Sequence, residues 1–166
     1  MSMINYELIS EILFTNDNTF KRTIDLLMFM NKKPIEVKKE VPGMVGNRLQ
    51  FALFREAQFL LEQGIASKED IDAAVTYGIG RRLPVTGPFL SADMGGLDVF
   101  ASISDYLFKD LSNADQSSGK LRDLISQGHF GQKNGKGYYT WNEKFAEAMN
   151  HKREEQLIQF LKDDIN

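Results

Sequence analysis

The strongest constraint on this chain is the stretch VPGMVGNRLQFALFREAQFLLEQG, residues 41–64. A Pro-Gly turn opens it and Gly64, a suitable left-handed cap, closes it, which brackets a helix from Met44 to about Gln63. Leu49, Ala52, Leu53, Ala57, Leu60 and Leu61 share one side of that helix, while Phe51, Phe54 and Phe59 spread over much of the rest. A helix apolar over so much of its circumference must be covered nearly all round. A domain of about 100 residues has few other elements to do so, because small domains bury a limited share of their surface. The Phe-rich face is therefore expected to serve as core and as an interface with a second copy. Asn47 and Arg48 interrupt the apolar pattern in the first turns. Asparagine is a mediocre helix former because its amide competes for nearby backbone groups. Asn47 either bonds to the Pro-Gly turn or aims its amide at something outside the helix.

The flanks are of two kinds. INYELISEIL carries Ile4, Tyr6, Leu8 and Ile9 close to the alternation of a strand, TNDNTFKRTIDLLMFMNKK offers Asn/Asp caps and an apolar helical stripe, and PIEVKK reads as a second strand. Two short strands do not make a sheet that stands alone in water. This opening is expected to be the end of a larger sheet, its strands paired with each other, with the tail helix or with a neighbouring chain. After residue 41 the pattern is helical: Ser67 caps KEDIDAAVTYGIG with Asp70 placed to reach back to it, RRLPVTGP is a break at Pro84 and Pro88, and a helix begins near Asp98 with Val99, Ile103, Leu107 and Leu111 at steps of four. A short helix KLRDLISQG ends at Gly128, Asn134-Gly135 marks a turn, and a charged helix follows Asn142.

Composition removes several function classes. The chain has 20 basic and 23 acidic residues, a net charge of -3, and no one-signed basic face, so nucleic acid is not an expected partner. It has no cysteine, which excludes disulfides and thiolate chemistry, and its two histidines are too far apart to suggest a metal pair. No apolar run approaches the roughly 20 residues of a membrane helix, the start lacks the features of a signal peptide, and a cytoplasmic location is expected. There is no Gly-x-Gly-x-x-Gly at a strand-helix junction and no nucleophile elbow; Gly78 and Gly80 fall at a predicted helix end, the wrong context for a phosphate cradle. His151 reads as solvated on a charged helix, His129 as adjoining a helix terminus, and Asp93 and Asp98 as caps or turn formers. Local chemistry alone assembles no complete active site.

Four stretches in order, VPGMVGNR, FREAQFLLEQGIASKEDIDAAVTYGIG, GPFLSADMGGLDV and LISQGHFGQKNGKGYY, resemble the C-terminal domain of the 3-hydroxyacyl-CoA dehydrogenases, 3-hydroxybutyryl-CoA dehydrogenases among them. The resemblance implies a mainly α fold, the helical dimerisation domain of the 6-phosphogluconate-dehydrogenase C-terminal-like type, preceded by a strand-helix-strand remnant of a Rossmann domain. It divides the chain into residues 1–38, the terminal strands and helix of an NAD-binding domain; 39–141, the helical domain; and 142–166, an added helix. It also implies a homodimer and, for the longer parent enzyme, NAD as cofactor and acyl-CoA as substrate. The family's catalytic histidine, its glutamate partner and its glycine-rich loop would lie upstream, so the chain by itself is expected to be inactive.

Residue by residue, the resemblance puts the asparagine of Pro-Gly-x-x-x-Asn-Arg at Asn47, as a catalytic and substrate-binding amide that would donate to the oxygen on the substrate's C3. It puts a dinucleotide-contacting lysine at Lys133 and leaves Arg81 and Arg82 as candidates for the phosphates of CoA. The competing readings are solvated lysines on a plain turn and a solvated basic pair. Two departures bear on the substrate: Val85 and Thr86 stand where many members have one residue, and Leu90 replaces an acid. A non-catalytic helical association module is the alternative function.

Overall fold

The computed structural model describes residues 9–12 and 16–165, so the part of the expected first strand before Ile9 lies outside the described residues. The chain divides into two compact units: one formed by residues up to Leu49 together with those from Thr140 on, the other by Gln50–Tyr139.

In the first unit β1 (Ile9–Ile12) pairs in parallel with β2 (Lys33–Glu36), Ile9 opposite Lys33 and Ile12 opposite Glu36, across α1 (Asp17–Phe29). The two strands thus pair with each other, the first of the three expected arrangements. Asn16 caps α1, its side chain accepting from the Thr19 amide at 2.9 Å. Asn31, at φ 55°, ends it, with the amides of Asn31 and Lys32 donating to the carbonyls of Met28 and Leu27. That is the Schellman pattern with Asn in the position usually held by Gly. Val41–Met44 form a type II turn: the Met44 amide donates to the Val41 carbonyl at 3.0 Å, Pro42 supplies the preset φ, and Gly43 takes φ 80°. From it springs α2 (Met44–Glu62). The last helix, α8 (Glu143–Ile165), is capped by Asn142, which accepts from the Phe145 amide at 2.8 Å. His151 is exposed there, as its place on a charged helix suggested, with its Nδ1 3.2 Å from Glu155 one helical turn on.

The second unit is helical. The rest of α2 ends in another Schellman turn at Gly64 (φ 67°). Ser67 caps α3 (Lys68–Ala74), accepting from the Asp70 amide at 3.1 Å and donating to the Asp70 carboxylate at 2.6 Å, the reciprocal contact expected from the sequence. The chain then kinks within Val75–Ile79, where Gly78 leaves helical geometry (φ −102°, ψ −107°), and resumes as α4 (Gly80–Arg82). The expected break is real only from Leu83 to Gly87, and Pro88, instead of ending order, starts an additional helix, α5 (Pro88–Gly95). Proline suits a first helical position because the N–H it lacks has no partner there. α6 (Leu97–Leu107) stops before Leu111, the last residue of the expected apolar ladder. α7 (Gly119–Ser126) is capped by Ser118 and closed at Gly128 (φ 73°), where the His129 amide donates to the Leu124 carbonyl at 2.8 Å.

Polar side chains on α2 organise this unit. Glu56 accepts from the Ser112 amide (2.8 Å), Gln58 from the Ser118 amide (3.1 Å), and Glu62 from the Lys120 amide (3.0 Å). Glu62 thus satisfies an N–H in the first turn of α7, a group the helix itself leaves unpaired. Apolar burial is much less complete. Among the described residues the buried hydrophobics are Val37, 8% exposed, in the first unit and Ile71, 9% exposed, in the second. Phe51 and Phe54 are exposed, so within a single chain the Phe-rich face of α2 is not the core that its sequence suggested. Phe29 (85% exposed) and Phe89 (88% exposed) stand almost fully open. Among the described residues, no helix is long and apolar enough to cross a membrane.

Candidate functional site

Asn47 lies in the first turns of α2, exposed, and its amide has no hydrogen-bond partner among the described residues. The Pro-Gly turn does not occupy it. Arg48 takes that role, its guanidinium donating to the Pro42 carbonyl at 3.3 Å. Gly43 brings the turn against this part of the helix: a Cβ built there would sit 3.6 Å from Asn47 Cβ and 3.5 Å from Arg48 Cγ. Met44, at φ 51°, enters the helix in the left-handed region, uncommon for a residue with a side chain. The chain thus spends local backbone freedom on the entry to α2 and leaves the Asn47 amide with both donors and its acceptor open.

Arg81 and Arg82 belong to the second unit. Arg81 stacks on Tyr77, its guanidinium carbon 5.0 Å from the ring centroid, and Arg82 is exposed beside it. Neither forms an ion pair among the described residues. The contact with Tyr77 is one that sequence reasoning missed, because the kink at Gly78 between the two residues decides how their side chains meet.

Lys133 lies in the same unit, exposed, on the turn between Gly131 and Lys136, whose backbones pair with the Gly131 amide donating to the Lys136 carbonyl at 2.6 Å. The turn spans residues 132–135, and Asn134-Gly135 lies within it as its sequence indicated. The Asn134 side chain shapes it, accepting from the Phe130 amide at 3.1 Å and donating to the Gly128 carbonyl. Gly137 passes so close that a Cβ on it would lie 2.7 Å from Gly131 Cα. Beyond it Tyr139 donates its hydroxyl to Asp72 at 2.7 Å, with the Lys68 ammonium 5.0 Å from its ring centroid. Burial, then the hydrogen bond to the Asp72 carboxylate and the charges of Asp72 and Glu69, push the Tyr139 hydroxyl well above the usual tyrosine range. The loop that displays Lys133 is thereby fastened at its base to α3.

Of the residues singled out by sequence, then, Arg81 and Arg82 are neighbours on one helix, Lys133 is on a pinned loop of the same unit, and Asn47 belongs to the first unit. Neither His129 nor His151 joins them: His129 contributes its backbone to a helix end, and His151 pairs with Glu155 on α8. Among the described residues no three His, Asp or Glu side chains are grouped to hold a metal ion.

Comparison with known proteins adds a frame to this geometry. The family model of the 3-hydroxyacyl-CoA dehydrogenase C-terminal domain matches residues 43–141. The 5-formyl-3-hydroxy-2-methylpyridine 4-carboxylate 5-dehydrogenase of Mesorhizobium japonicum is 39% identical over 134 residues, 81% of this chain and 43% of that protein. The mitochondrial hydroxyacyl-coenzyme A dehydrogenase of Homo sapiens is 37% identical over 129 residues, 76% of this chain and 40% of that protein. In three dimensions, the crystal structure of 5-formyl-3-hydroxy-2-methylpyridine 4-carboxylic acid 5-dehydrogenase, described as an NAD+-dependent dismutase, matches with a TM-score of 0.90 at 34% identity, over 95% of this chain and 52% of that one. The chain spans about half the length of the relatives it matches. With the family model covering more than half of its residues, the chain belongs to the 3-hydroxyacyl-CoA dehydrogenase C-terminal domain family.

Proposed function

We propose that this chain is the substrate-side and dimerisation part of an NAD-dependent dehydrogenase that interconverts a hydroxyl and a carbonyl, its substrate an L-3-hydroxyacyl-CoA and its product the 3-ketoacyl-CoA. The observation that carries the reading is the Asn47 amide, exposed at the start of α2 and unpartnered while Arg48 occupies the adjacent turn. A fixed amide donor suits the oxygen that changes from hydroxyl to carbonyl, because holding that oxygen orients the carbon that gives up hydride. NAD, when bound, supplies the hydride acceptor. Lys133, exposed on its pinned loop, is the residue of this chain that fits a contact to the dinucleotide; Arg82, without an ion-pair partner among the described residues, fits a phosphate of CoA.

A second reading keeps the chemistry and changes the substrate to a heteroaromatic carboxylate bearing an alcohol or aldehyde. The likeness to the pyridine-carboxylate dehydrogenase, with a TM-score of 0.90 over 95% of the chain, favours it. The test is NADH formation or consumption by the full-length gene product, offered 3-hydroxybutyryl-CoA and a formylpyridine carboxylate in turn. NAD-linked turnover of the first upholds the first reading and of the second the second; turnover of neither sinks both in favour of a non-catalytic association module. The chain alone is expected to bind NADH no better than millimolar, since it carries no glycine-rich loop to hold a pyrophosphate.

The dimer is part of the same proposal. Leu49, Phe51, Leu53 and Phe54 on α2 and Phe89 and Leu90 on α5 are exposed in the single chain, far more apolar surface than one chain leaves open without a purpose. A second copy covers it, through an interface of at least about 1,000 Å². Light scattering at micromolar concentration should return a mass near twice 18.9 kDa, and a clean monomer defeats this part of the proposal.

A further inference from the structure

Residues 128–137 hold four glycines, and three of them, Gly128, Gly131 and Gly135, take positive φ (73°, 80° and 83°). Glycine has more conformational freedom to lose than any other residue, so such a segment is costly to order. It is tied down nonetheless, by contacts of two ranges. The Gly131–Lys136 backbone pair and the Asn134 side chain, bonded to Phe130 and Gly128, are local and shape the turn itself. The Tyr139 hydroxyl reaches 67 residues back, donating to the Asp72 carboxylate on α3 at 2.7 Å. A hydroxyl on a carboxylate makes a charge-assisted bond, about twice as strong as a neutral one. The Lys68 ammonium, 5.0 Å from the ring centroid, adds a second contact from α3 to the same side chain. What the turn displays is Lys133, exposed and in no ion pair among the described residues. Fixing this turn therefore gains the fold no ion pair through Lys133. It holds an open cation in place, the arrangement that lowers the cost of binding an anion from outside.

We propose that Tyr139 and Asp72 are positioning residues for Lys133, holding its ammonium for a phosphate of the bound dinucleotide without touching the coenzyme themselves. The inference rests on the reading of Lys133 as a dinucleotide contact and deepens it, by making the strength of that contact depend on a bond made on α3. Coenzyme A carries phosphates of the same chemistry, so the test sets the two ligands against each other.

The experiment is titration of the full-length gene product with NADH, followed by fluorescence, and with coenzyme A, followed by calorimetry, no turnover being required. Lys133→Ala should weaken NADH binding by about 10-fold, as for one charge-assisted contact. Tyr139→Phe and Asp72→Ala should each weaken it by about 2- to 10-fold, the cost of ordering a side chain on binding instead of beforehand. Asp72→Asn, which keeps an acceptor oxygen, should recover most of that loss. On a Lys133→Ala background Tyr139→Phe should cost nothing more, because the one residue acts through the other. Coenzyme A should bind all of these variants alike. Glu56→Ala, which frees the Ser112 amide instead, should lower the melting temperature and leave NADH binding unchanged, so lost stability alone is not what the titration reads. In turnover assays Tyr139→Phe should raise KM for NADH and leave kcat at saturation. Losses that add in the double variant, a matching loss in Glu56→Ala, or a loss confined to coenzyme A would each overturn the proposal. NADH binding weakened by Lys133→Ala but not by Tyr139→Phe removes the positioning role and leaves the dinucleotide contact. NADH binding that is absent, or indifferent to Lys133→Ala, removes that contact and the positioning role with it.

Discussion

Within α2, the residues up to Leu49 and those from Gln50 onward use polar side chains in opposite ways. Early in the helix Asn47 is exposed and unpartnered among the described residues, and Arg48 turns back to the Pro42 carbonyl. Later in it Glu56, Gln58 and Glu62 each accept from a backbone amide 56 to 60 residues further along the chain. A satisfied polar contact of the second kind ties a loop down, and its loss is read as stability. An open amide of the first kind contributes little to folding, so its presence on a helix that would be better served by Ala or Leu asks for a use outside the fold. One helix thus separates a part whose polar side chains the fold consumes from a part where the Asn47 amide is left open among the described residues.

The largest effect should come from breaking the first half of that contrast. Asn47→Ala in the full-length protein is expected to lower turnover by roughly 10- to 1000-fold, the range for losing one positioned donor, with almost no change in melting temperature. Parallel losses of activity and stability would show Asn47 to be structural after all. Next comes the kink of the second unit. Gly80→Ala forces a methyl group to within 2.6 Å of the Val75 carbonyl, and chemical denaturation should report a loss of about 1–3 kcal/mol, the usual cost of overpacking. An unchanged midpoint would mean that the kink can relax around the added methyl group at no cost.

Glu62→Ala tests the later half of α2. Removing the acceptor for the Lys120 amide should cost about 1 kcal/mol, as for a lost helix cap, while kcat of the full-length enzyme stays put. A fall in kcat without a fall in stability would erase the distinction between the halves. The smallest effect is at Tyr139, whose hydroxyl bond to Asp72 is worth about 1 kcal/mol. Because its folded pKa is raised above the ordinary value of 10.0, folding favours the protonated phenol. The stabilisation is therefore complete below pH 10 and lost as the pH rises above it. Denaturation midpoints of Tyr139→Phe should be lower than those of the parent at neutral pH and should converge with them in strong alkali; a constant gap would refute the linkage.

Much of the local structure was legible because its causes are local. The cap residues Asn16, Ser67 and Asn142, the left-handed Gly64 and Gly128, and the Pro42-Gly43 turn act over four or five residues, and each stands where its spacing puts it. The parallel strand-helix-strand followed from alternation and length. α5 was not legible, because Pro88 breaks a preceding helix and begins a following one with equal ease, and only the surrounding chain selects between the two. Gly78 and Gly80 looked like the end of a helix, and Gly78 does break helical geometry there; what was hidden is that a further helical turn, α4, follows the kink.

The candidate site divides along the same line. Residue type and motif spacing were enough to single out Asn47, Arg81, Arg82 and Lys133, since chemistry limits which side chains can donate to an oxygen or meet an anion. Whether each is free to do so depends on partners distant in sequence or on exact backbone geometry. Arg48 rather than Asn47 satisfies the turn, Tyr77 holds Arg81, Asn134 folds the loop under Lys133, and Asp72 anchors that loop through Tyr139. The sequence by itself determined a mainly helical chain, its capped ends and the residues able to do chemistry, because those depend on short-range sterics and hydrogen bonds. Only the tertiary structure decided which polar groups are consumed by the fold and which apolar faces remain uncovered, because hydrogen bonds such as those from Ser112, Ser118 and Lys120 to α2 exist only once distant segments have met.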